Sequence, residues 1–282
     1  MPGSVSQTFR LAIPDHGEVT VKVDAPAEVD APAEVAHARV GPAAVGPAAV
    51  GPATVAPAEA GAAETPAPTT PALILAHGAN NNLDFPLLSY LADHLATSGC
   101  AQVIRFNFPY VERGATSPDP RPVLEATFLQ VYAHVQNELR GSGSPVFVAG
   151  KSLGGRAAAE LVSRRAEGDG VDAAGLIVLG YPLHAMGKQE SLFLGPVRHI
   201  DIPSLFFAGT RDPLCDPDLL RPVLAGLTHP GRLHVVEGGD HSLHLPRSPG
   251  RRPEDSYPDV AREVADFIQT VAVRAVTAGP RL

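Results

Sequence analysis

The chain has 282 residues, of which 44% are hydrophobic, enough to build one domain with a large core. A net charge of −8 argues against nucleic acid as a ligand, and no apolar run approaches the roughly 18 residues needed to cross a bilayer, so no membrane association is expected. No signal peptide is recognised. Cys100 and Cys215 fall on different predicted elements and are interpreted as free thiols. These features predict a cytoplasmic protein.

The first 23 residues predict a β-hairpin. Two runs in which apolar and polar residues alternate, 8–13 and 18–23, flank the turn sequence Pro14-Asp-His-Gly17. We expect this hairpin, residues 1–23, to form the antiparallel edge of the sheet that resumes at Ala72.

Residues 24–70 consist almost entirely of Ala, Pro, Val, Glu and Gly in tandem copies, such as Gly41-Pro-Ala-Ala-Val. Proline every five or six residues opposes both helix and strand ladders, and few large side chains are available to bury. Glycine does not recur at every third position, which excludes collagen. The segment is interpreted as a disordered repeat insertion.

A buried strand from Ala72 ends at His77-Gly78 and is followed by Ala79 and three asparagines. A loop in this place supplies one backbone donor of an oxyanion hole, which we assign to Ala79. Asn80 either adds a side-chain donor or holds the loop. His77 is a pocket candidate, although a structural hydrogen-bonding role is favoured for it. A helix is expected from about Asp84, which can cap it.

The remaining elements alternate between strand and helix, so residues 71–276 predict a mostly parallel sheet with helices on both faces, followed by a tail at 277–282. The predicted elements are strand 102–108, helix 123–140, strand 175–180, strand 204–209, helix 219–227, strand 233–237 and helix 258–275. The segment 183–200 is too short for an elaborate lid, which predicts an open pocket.

Residues 146–156 contain the pentapeptide Gly150-Lys-Ser-Leu-Gly154 between an apolar strand and a helix-forming stretch. This order is typical of a nucleophile elbow, in which Ser152 occupies a strained turn. The turn is too crowded for large side chains two positions before and after the serine, and Gly150 and Gly154 occupy those positions. The N–H of Leu153 is then the second oxyanion donor. A phosphate-binding loop, which also ends in Gly-Lys-Ser, would need a glycine where this chain has Pro145.

A serine needs a base, and the base needs an acid, each in a loop after a strand. Asp212 and His241 follow the next suitable strands in the required chain order. Asp216 and Asp218 remain alternatives for the acid, and His244 remains an alternative for the base. Asp240 is expected to shape its loop, and His234 to pack within a strand.

These motifs resemble a known family. Residues 72–245 are similar to the small α/β-hydrolase-like proteins grouped with testis-expressed protein 30 and subunit three of the non-specific-lethal chromatin complex, close to the dienelactone hydrolase branch. The residues that carry the resemblance are 76–79, 150–156, Gly180-Tyr-Pro-Leu-His184, 209–212 with 214–215, and 240–243. The resemblance implies the α/β-hydrolase fold, triad roles for Ser152, Asp212 and His241, and positions near the pocket for Arg156 and His184. Dienelactone hydrolases use cysteine where this chain has Ser152.

The leading hypothesis is a serine hydrolase of small carboxylic esters or related acyl compounds, with no cofactor and no metal. The alternative is a non-catalytic hydrolase fold that serves as an interaction module. A metal-dependent hydrolase using Asp212, Asp216, His241 and His244 lacks a recognised ligand pattern. The sequence leaves the physiological substrate and the oligomeric state open.

Overall fold

The structure is a computed structural model that describes residues 3–27, 70–139 and 142–278. Residues 28–69, which make up most of the predicted repeat insertion, lie outside the described part, as do residues 279–282 of the predicted tail. Their predicted character therefore stays a prediction.

Eight strands form one sheet within the described residues, in the order β1-β2-β4-β3-β5-β6-β7-β8. The strands are β1 Ser4–Ile13, β2 Gly17–Pro26, β3 Ala72–Ala76, β4 Gln102–Phe106, β5 Val146–Lys151, β6 Gly175–Leu179, β7 Ser204–Gly209 and β8 Arg232–Val236. β1 and β2 pair as an antiparallel hairpin, β2 pairs antiparallel with β4, and the other neighbours are parallel. The predicted hairpin edge and mostly parallel sheet are confirmed.

Helices cover both faces of the sheet. They are α1 Pro86–Thr97, α2 Pro109–Glu112, α3 Arg121–Glu138, α4 Leu153–Ser163, α5 Pro217–Ala225 and α6 Tyr257–Ala278. Buried residues of α1 and α6 share one core, while those of α3, α4 and α5 share the core on the opposite face. None of the helices in the described ranges combines the length and apolarity that crossing a membrane requires.

Strand β3 shows why the sheet has two cores. Ile74 belongs to the core shared with α3 and α4, whereas Leu73 and Leu75 belong to the core shared with α1 and α6. Successive side chains of a strand point to opposite faces, so a strand covered on both sides is mostly apolar. The central strands β3, β5, β6 and β7 are accordingly buried at every position.

Helix α1 begins two residues later than Asp84, the predicted cap. Phe85 occupies the N-cap position without a side-chain cap, and Pro86 opens the helix. Proline suits the first turn because its fixed φ is already helical and its missing N–H would have no partner there. The Asp84 carboxylate instead lies 3.2 Å from Arg105 Nη1.

Strand β2 continues to Pro26, so the predicted boundary at residue 23 is wrong by three residues. Asp24, predicted to belong to the insertion, accepts hydrogen bonds from Arg105 Nη2 at 2.8 Å and from Ser6 Oγ at 2.8 Å. The Arg105 side chain is only 2% exposed and also donates to the Leu83 carbonyl. A buried ion pair thus ties the hairpin to β4.

Removing the charge of Asp24 should therefore destabilise the hairpin edge. Asp24→Asn leaves the buried Arg105 guanidinium with the exposed Asp84 carboxylate as its one remaining anionic partner among the described residues, and breaking a buried pair costs about 3 to 5 kcal/mol. Urea denaturation should show this loss in the free energy of unfolding. Asp15→Asn, in the exposed hairpin turn, is the matched control and should change it by less than about 0.5 kcal/mol. Equal effects of the two substitutions would contradict the assignment.

Candidate active site

Ser152 lies on a tight turn between β5 and α4. Its φ of 49° and ψ of −109° place a non-glycine residue in a strained region of backbone space. A Cβ added at Gly150 would lie 2.3 Å from the Gly154 carbonyl carbon, and one added at Gly154 would lie 2.6 Å from the His77 carbonyl oxygen. The turn therefore needs glycine at both positions, as the elbow prediction requires.

Ser152, His241 and Asp212 form one hydrogen-bonded chain at the carboxyl edge of the sheet. His241 Nε2 lies 2.8 Å from Ser152 Oγ, and His241 Nδ1 lies 2.8 Å and 3.0 Å from the two carboxylate oxygens of Asp212. The three residues follow β5, β8 and β7. Strand order changes direction between β3 and β5, and ligands of open α/β sheets bind at such a switch point.

The hydrogen-bond chain fixes the tautomer of His241. An ionised carboxylate only accepts hydrogen bonds, so Nδ1 carries the proton and donates to Asp212. In the neutral imidazole, Nε2 is then the acceptor for the Ser152 hydroxyl. The Asp212 side chain is 0% exposed, while that of His241 is 20% exposed. The arrangement can take a proton from Ser152 and support the resulting imidazolium.

The structure separates Asp212 from the alternative acids. Asp212 Oδ1 also accepts a hydrogen bond from the Leu214 N–H at 2.8 Å, which fixes the carboxylate in its turn. Asp216 is the N-cap of α5, and its side chain accepts from the Asp218 N–H. Asp216 therefore starts a helix, and neither it nor Asp218 contacts His241 through a hydrogen bond.

The loop after β8 delivers His241 by close backbone contact with the loop after β7. A Cβ on Gly209 would lie 2.2 Å from the Gly239 carbonyl oxygen, so only glycine permits this approach. Asp240 Oδ1 accepts from the N–H groups of Ser242 and His244, at 2.7 and 2.9 Å. Asp240 thus shapes the loop, as predicted.

The neighbouring histidines have other partners. His244 Nε2 lies 2.7 Å from Tyr257 Oη, and His234 Nε2 lies 2.9 Å from Asp259 Oδ2. Within the part of the chain that the structure describes, no group of three or more His, Cys, Asp or Glu side chains is arranged to hold a metal ion. The four residues of the metal hypothesis are not brought together as a ligand set.

Two backbone N–H groups are available beside the elbow. A Cβ on Gly78 would lie 3.4 Å from Ser152 Cβ, so the loop after β3 passes next to the serine. The N–H groups of Ala79 and Leu153 donate to no acceptor within the described ranges. Asn81 Nδ2 donates to the Ala79 carbonyl and holds the loop, whereas Asn80 is an exposed turn residue with φ of 56°. The holding role considered for Asn80 therefore belongs to its neighbour.

His77 is fully buried and does not line an open pocket, so its placement as a pocket candidate is corrected. Its Nδ1 donates to the Gly78 carbonyl at 2.8 Å, and its Nε2 accepts from the Phe108 N–H at 3.1 Å. Burial lowers the pKa of His77 to about 4. A neutral His77 thus joins the loop after β3 to the loop after β4, which is the structural role favoured from the sequence.

Lys151, the second residue of the pentapeptide, is 4% exposed. Its Nζ lies 5.3 Å from the centroid of the Phe85 ring, a cation–π contact. Burial lowers the pKa of Lys151, and the negative charges of Asp212 and Asp240 oppose that shift. The motif alone did not reveal this buried cation near the acid, because its ring partner lies 66 residues earlier in the chain.

Arg156 and His184, the other pocket candidates, lie on α4 and on the segment after β6. The guanidinium carbon of Arg156 lies 5.3 Å from the Phe193 ring centroid. His184 is 2% exposed, its Nδ1 donates to the Ala185 carbonyl, and its backbone N–H donates to the Leu214 carbonyl in the loop that follows Asp212.

Between β6 and β7 the chain forms only an isolated bridge, His184 to Leu192, and a single 3-10 turn at Val197–His199. The segment therefore builds no helical lid.

A groove of about 610 Å³ lies elsewhere, between the hairpin turn and α3, and its lining includes Pro14 and Tyr132 but no residue of the Ser152 cluster. Hydrogen-bond geometry, rather than cavity size, identifies the site.

A protein-family model described as an alpha/beta hydrolase domain matches residues 69–269. Solved structures share the architecture at low identity. An alpha-beta serine hydrolase homologue from Coxiella burnetii is 15% identical with a TM-score of 0.58, covering 93% of this chain and 95% of that one. XC6422 from Xanthomonas campestris, described as an a/b serine hydrolase without lid, is 17% identical with a TM-score of 0.55, covering 95% and 94%. Est1E from Butyrivibrio proteoclasticus is 11% identical with a TM-score of 0.61, covering 94% and 99%.

Because the folded protein holds His77 neutral, acid should destabilise the site scaffold. The pKa of His77 is about 4 in the folded state, against about 6.5 for an ordinary histidine, so the unfolded chain binds the proton first. The stabilisation is complete above pH 6.5 and is lost as the pH falls towards 4, by about 3 kcal/mol in all. Denaturant titrations across this pH range give the free energy of unfolding at each pH. Plotted against pH, it should change less steeply for His77→Gln than for the wild type. His229→Gln, at an exposed position, should keep the wild-type slope, and an unchanged slope in His77→Gln would contradict the assignment.

Proposed function

Since the chain belongs to the alpha/beta hydrolase domain family, we propose that it is a serine hydrolase of small carboxylic esters or related acyl compounds. The observation that carries the proposal is the 2.8 Å contact between His241 Nε2 and Ser152 Oγ, with Asp212 behind the imidazole. Nucleophile, base and acid lie in the geometry and the chain order that acyl transfer requires.

Acylation begins at the Ser152 hydroxyl. His241 Nε2 takes its proton while Oγ attacks the carbonyl carbon of the ester, and the carbonyl oxygen becomes an oxyanion. Asp212, fully shielded from water, stabilises the imidazolium through the bond to Nδ1. As the tetrahedral intermediate collapses, His241 gives the proton to the departing alcohol, which leaves an acyl group on Ser152.

The N–H groups of Ala79 and Leu153 are the proposed oxyanion donors. Both lack another acceptor within the described residues and flank the serine, one after β3 and one at the start of α4. Fixed donors of this kind need no reorganisation as charge develops, and each is worth about 10² to 10³ in kcat. The hydrogen bond from Asn81 Nδ2 to the Ala79 carbonyl supports a fixed placement of the first donor.

Deacylation repeats the same proton transfers with water. His241 removes a proton from a water molecule, the resulting hydroxide attacks the acyl carbon, and His241 returns the proton to Ser152 Oγ as the acid leaves. The ester and water are converted to a carboxylic acid and an alcohol, so the reaction needs none of the electrons or ions that a cofactor would supply.

Cys215 does not compete as a nucleophile, although it follows Asp212 by three residues. It is 0% exposed, and burial raises the pKa of its thiol to about 12. Cys100 is likewise buried, with its thiol pKa raised to about 11. Neither cysteine forms a disulfide, which supports the proposed cytoplasmic location.

The segment between β6 and β7 forms no helical lid, which supports a site that the substrate can reach directly. The narrower resemblance to the group of testis-expressed protein 30 and to the dienelactone hydrolase branch is part of the proposal and is supported by the shared motifs around 150–156 and 180–184. A non-catalytic interaction module is the competing function, and the two differ in whether Ser152 reacts.

The first test is covalent labelling of Ser152. A fluorophosphonate probe should modify Ser152, because it is the one serine among the described residues whose hydroxyl is hydrogen-bonded to an imidazole. Intact and peptide mass spectrometry should locate the adduct. Ser152→Ala should abolish labelling and lower ester turnover by a factor on the order of 10³ or more. Labelling or turnover that persists in Ser152→Ala would refute the proposal, and a folded wild type that never reacts would favour the interaction module.

The second test distinguishes the two neighbouring acids. Asp212→Asn leaves His241 free to adopt the wrong tautomer and removes the support of its cation, which should lower kcat by about 10³ to 10⁴. Asp216→Asn is the matched control and should change kcat by less than about threefold, because Asp216 caps a helix and an asparagine side chain also caps well. Steady-state kinetics with a 4-nitrophenyl ester measures both. A loss in Asp216→Asn as large as that in Asp212→Asn would contradict the assignment.

A further inference from the structure

Arg156 lies in the first turns of α4, the helix that follows the nucleophile. It lies one helical turn after Ser152, and its backbone N–H donates to the Ser152 carbonyl at 2.9 Å. Residues four apart share a helix face, and helical side chains lean towards the N-terminus of their helix. The Arg156 side chain therefore leans along α4 towards the end that carries Ser152.

This guanidinium has no anionic partner among the described residues. Glu160, the acid one turn further along α4, pairs instead with Arg121 Nη1 at 2.8 Å. Arg156 Nε is buried and makes no hydrogen bond to any residue that the structure describes. Buried polar groups are normally satisfied, so an unsatisfied guanidinium nitrogen on the helix that follows the nucleophile calls for a physical explanation.

Phe193 holds the guanidinium without using its N–H groups. The guanidinium carbon lies 5.3 Å from the ring centroid, and the ring is 37% exposed. The backbone of Phe193 is anchored twice, since its N–H donates to the Leu183 carbonyl at 2.7 Å and its carbonyl accepts from Tyr181 Oη at 2.9 Å. Contact with a ring leaves the N–H groups at the edge of the guanidinium free for a ligand.

A second unsatisfied atom lies on the same segment. His184 is 2% exposed, and its Nε2 is buried without a hydrogen-bond partner in the described part of the chain. Because Nδ1 donates to the Ala185 carbonyl, Nε2 is an acceptor in the neutral ring. The segment after β6 and the first turns of α4 thus contribute two polar groups that no described residue pairs with.

We propose that Arg156 binds a carboxylate carried by the substrate, so that the preferred esters have an anionic group near the scissile bond. The proposal rests on the serine hydrolase function proposed above and names its substrate class. A guanidinium matches a carboxylate through two parallel hydrogen bonds. A single cation balances one negative charge, which favours a carboxylate over a phosphate dianion.

Two matched pairs of esters test the preference. One pair is 4-nitrophenyl hemiglutarate and 4-nitrophenyl valerate, which differ by a carboxylate on the acyl side. The other is 4-carboxyphenyl acetate and phenyl acetate, which differ by a carboxylate on the alcohol side. For the wild type, kcat/KM should be at least about tenfold higher for the anionic member of one pair, the gain expected from a charged hydrogen bond. Equal or lower values for the anionic members of both pairs would overturn the proposal.

Arg156→Gln should lower that anionic-to-neutral ratio by about 10- to 100-fold, mainly through KM, because it removes binding common to ground and transition states. The ratio for Arg156→Lys should fall between those of the wild type and Arg156→Gln, since lysine keeps the positive charge and loses the paired N–H donors of the guanidinium. Arg198→Gln removes a positive charge from the exposed 3-10 turn of the same segment and should leave the ratio unchanged. A loss in Arg156→Gln that is equal for both members of each pair would show a structural role and overturn the proposal.

Binding without turnover separates failure of the subsite from failure of the proposed function. Calorimetry on Ser152→Ala should show that glutarate binds, that glutaramide does not, and that adding Arg156→Gln abolishes glutarate binding. Glutarate binding that depends on Arg156, in a protein that hydrolyses no ester, would refute the hydrolase and support the subsite. Hydrolysis of neutral esters with no glutarate binding would refute the subsite alone.

Discussion

The site depends on one steric constraint, the contact between the turn after β5 and the end of β3. A Cβ on Gly154 would lie 2.6 Å from the His77 carbonyl and 2.7 Å from the Ala76 carbonyl, so α4 can start this close to β3 only without a side chain there. The approach holds Ser152 at positive φ and brings it beside the loop of Ala79. The strain is offset by the buried sheet beneath, where β3 and β5 are covered on both faces.

Two further contacts complete the geometry around that turn. The loop after β8 reaches the loop after β7 through Gly209 and Gly239, and Asp240 folds it so that His241 meets both Ser152 and Asp212. His77, kept neutral by burial, joins the loop after β3 to the loop after β4 through its hydrogen bond with the Phe108 N–H. Each loop is thus held by groups that do not react, which leaves His241 with a defined tautomer and Ser152 with a defined acceptor.

The sequence predicted the fold class and the Ser152, Asp212 and His241 cluster, because each of these residues lies in the turn or loop that follows a strand-like run. It failed where a role depends on a distant partner. Asp24 lies among residues of repeat-like composition, yet it belongs to β2, where its carboxylate accepts a hydrogen bond from Arg105, 81 positions later. Asn80 and Asn81 cannot be told apart by type, and only the path of the loop decides which one binds Ala79. The contact of Arg156 with Phe193 likewise depends on the course of an irregular segment that no periodicity describes.

The central claim is that the elbow, the imidazole and two backbone donors act together on one acyl group. A crystal structure of the protein after reaction with a fluorophosphonate tests it most directly, since the tetrahedral phosphorus mimics the intermediate. The account predicts a covalent bond to Ser152 Oγ and a phosphonyl oxygen about 2.7 to 3.1 Å from the N–H groups of both Ala79 and Leu153. A phosphonyl oxygen that points away from these two groups, or an adduct on another residue, would contradict it.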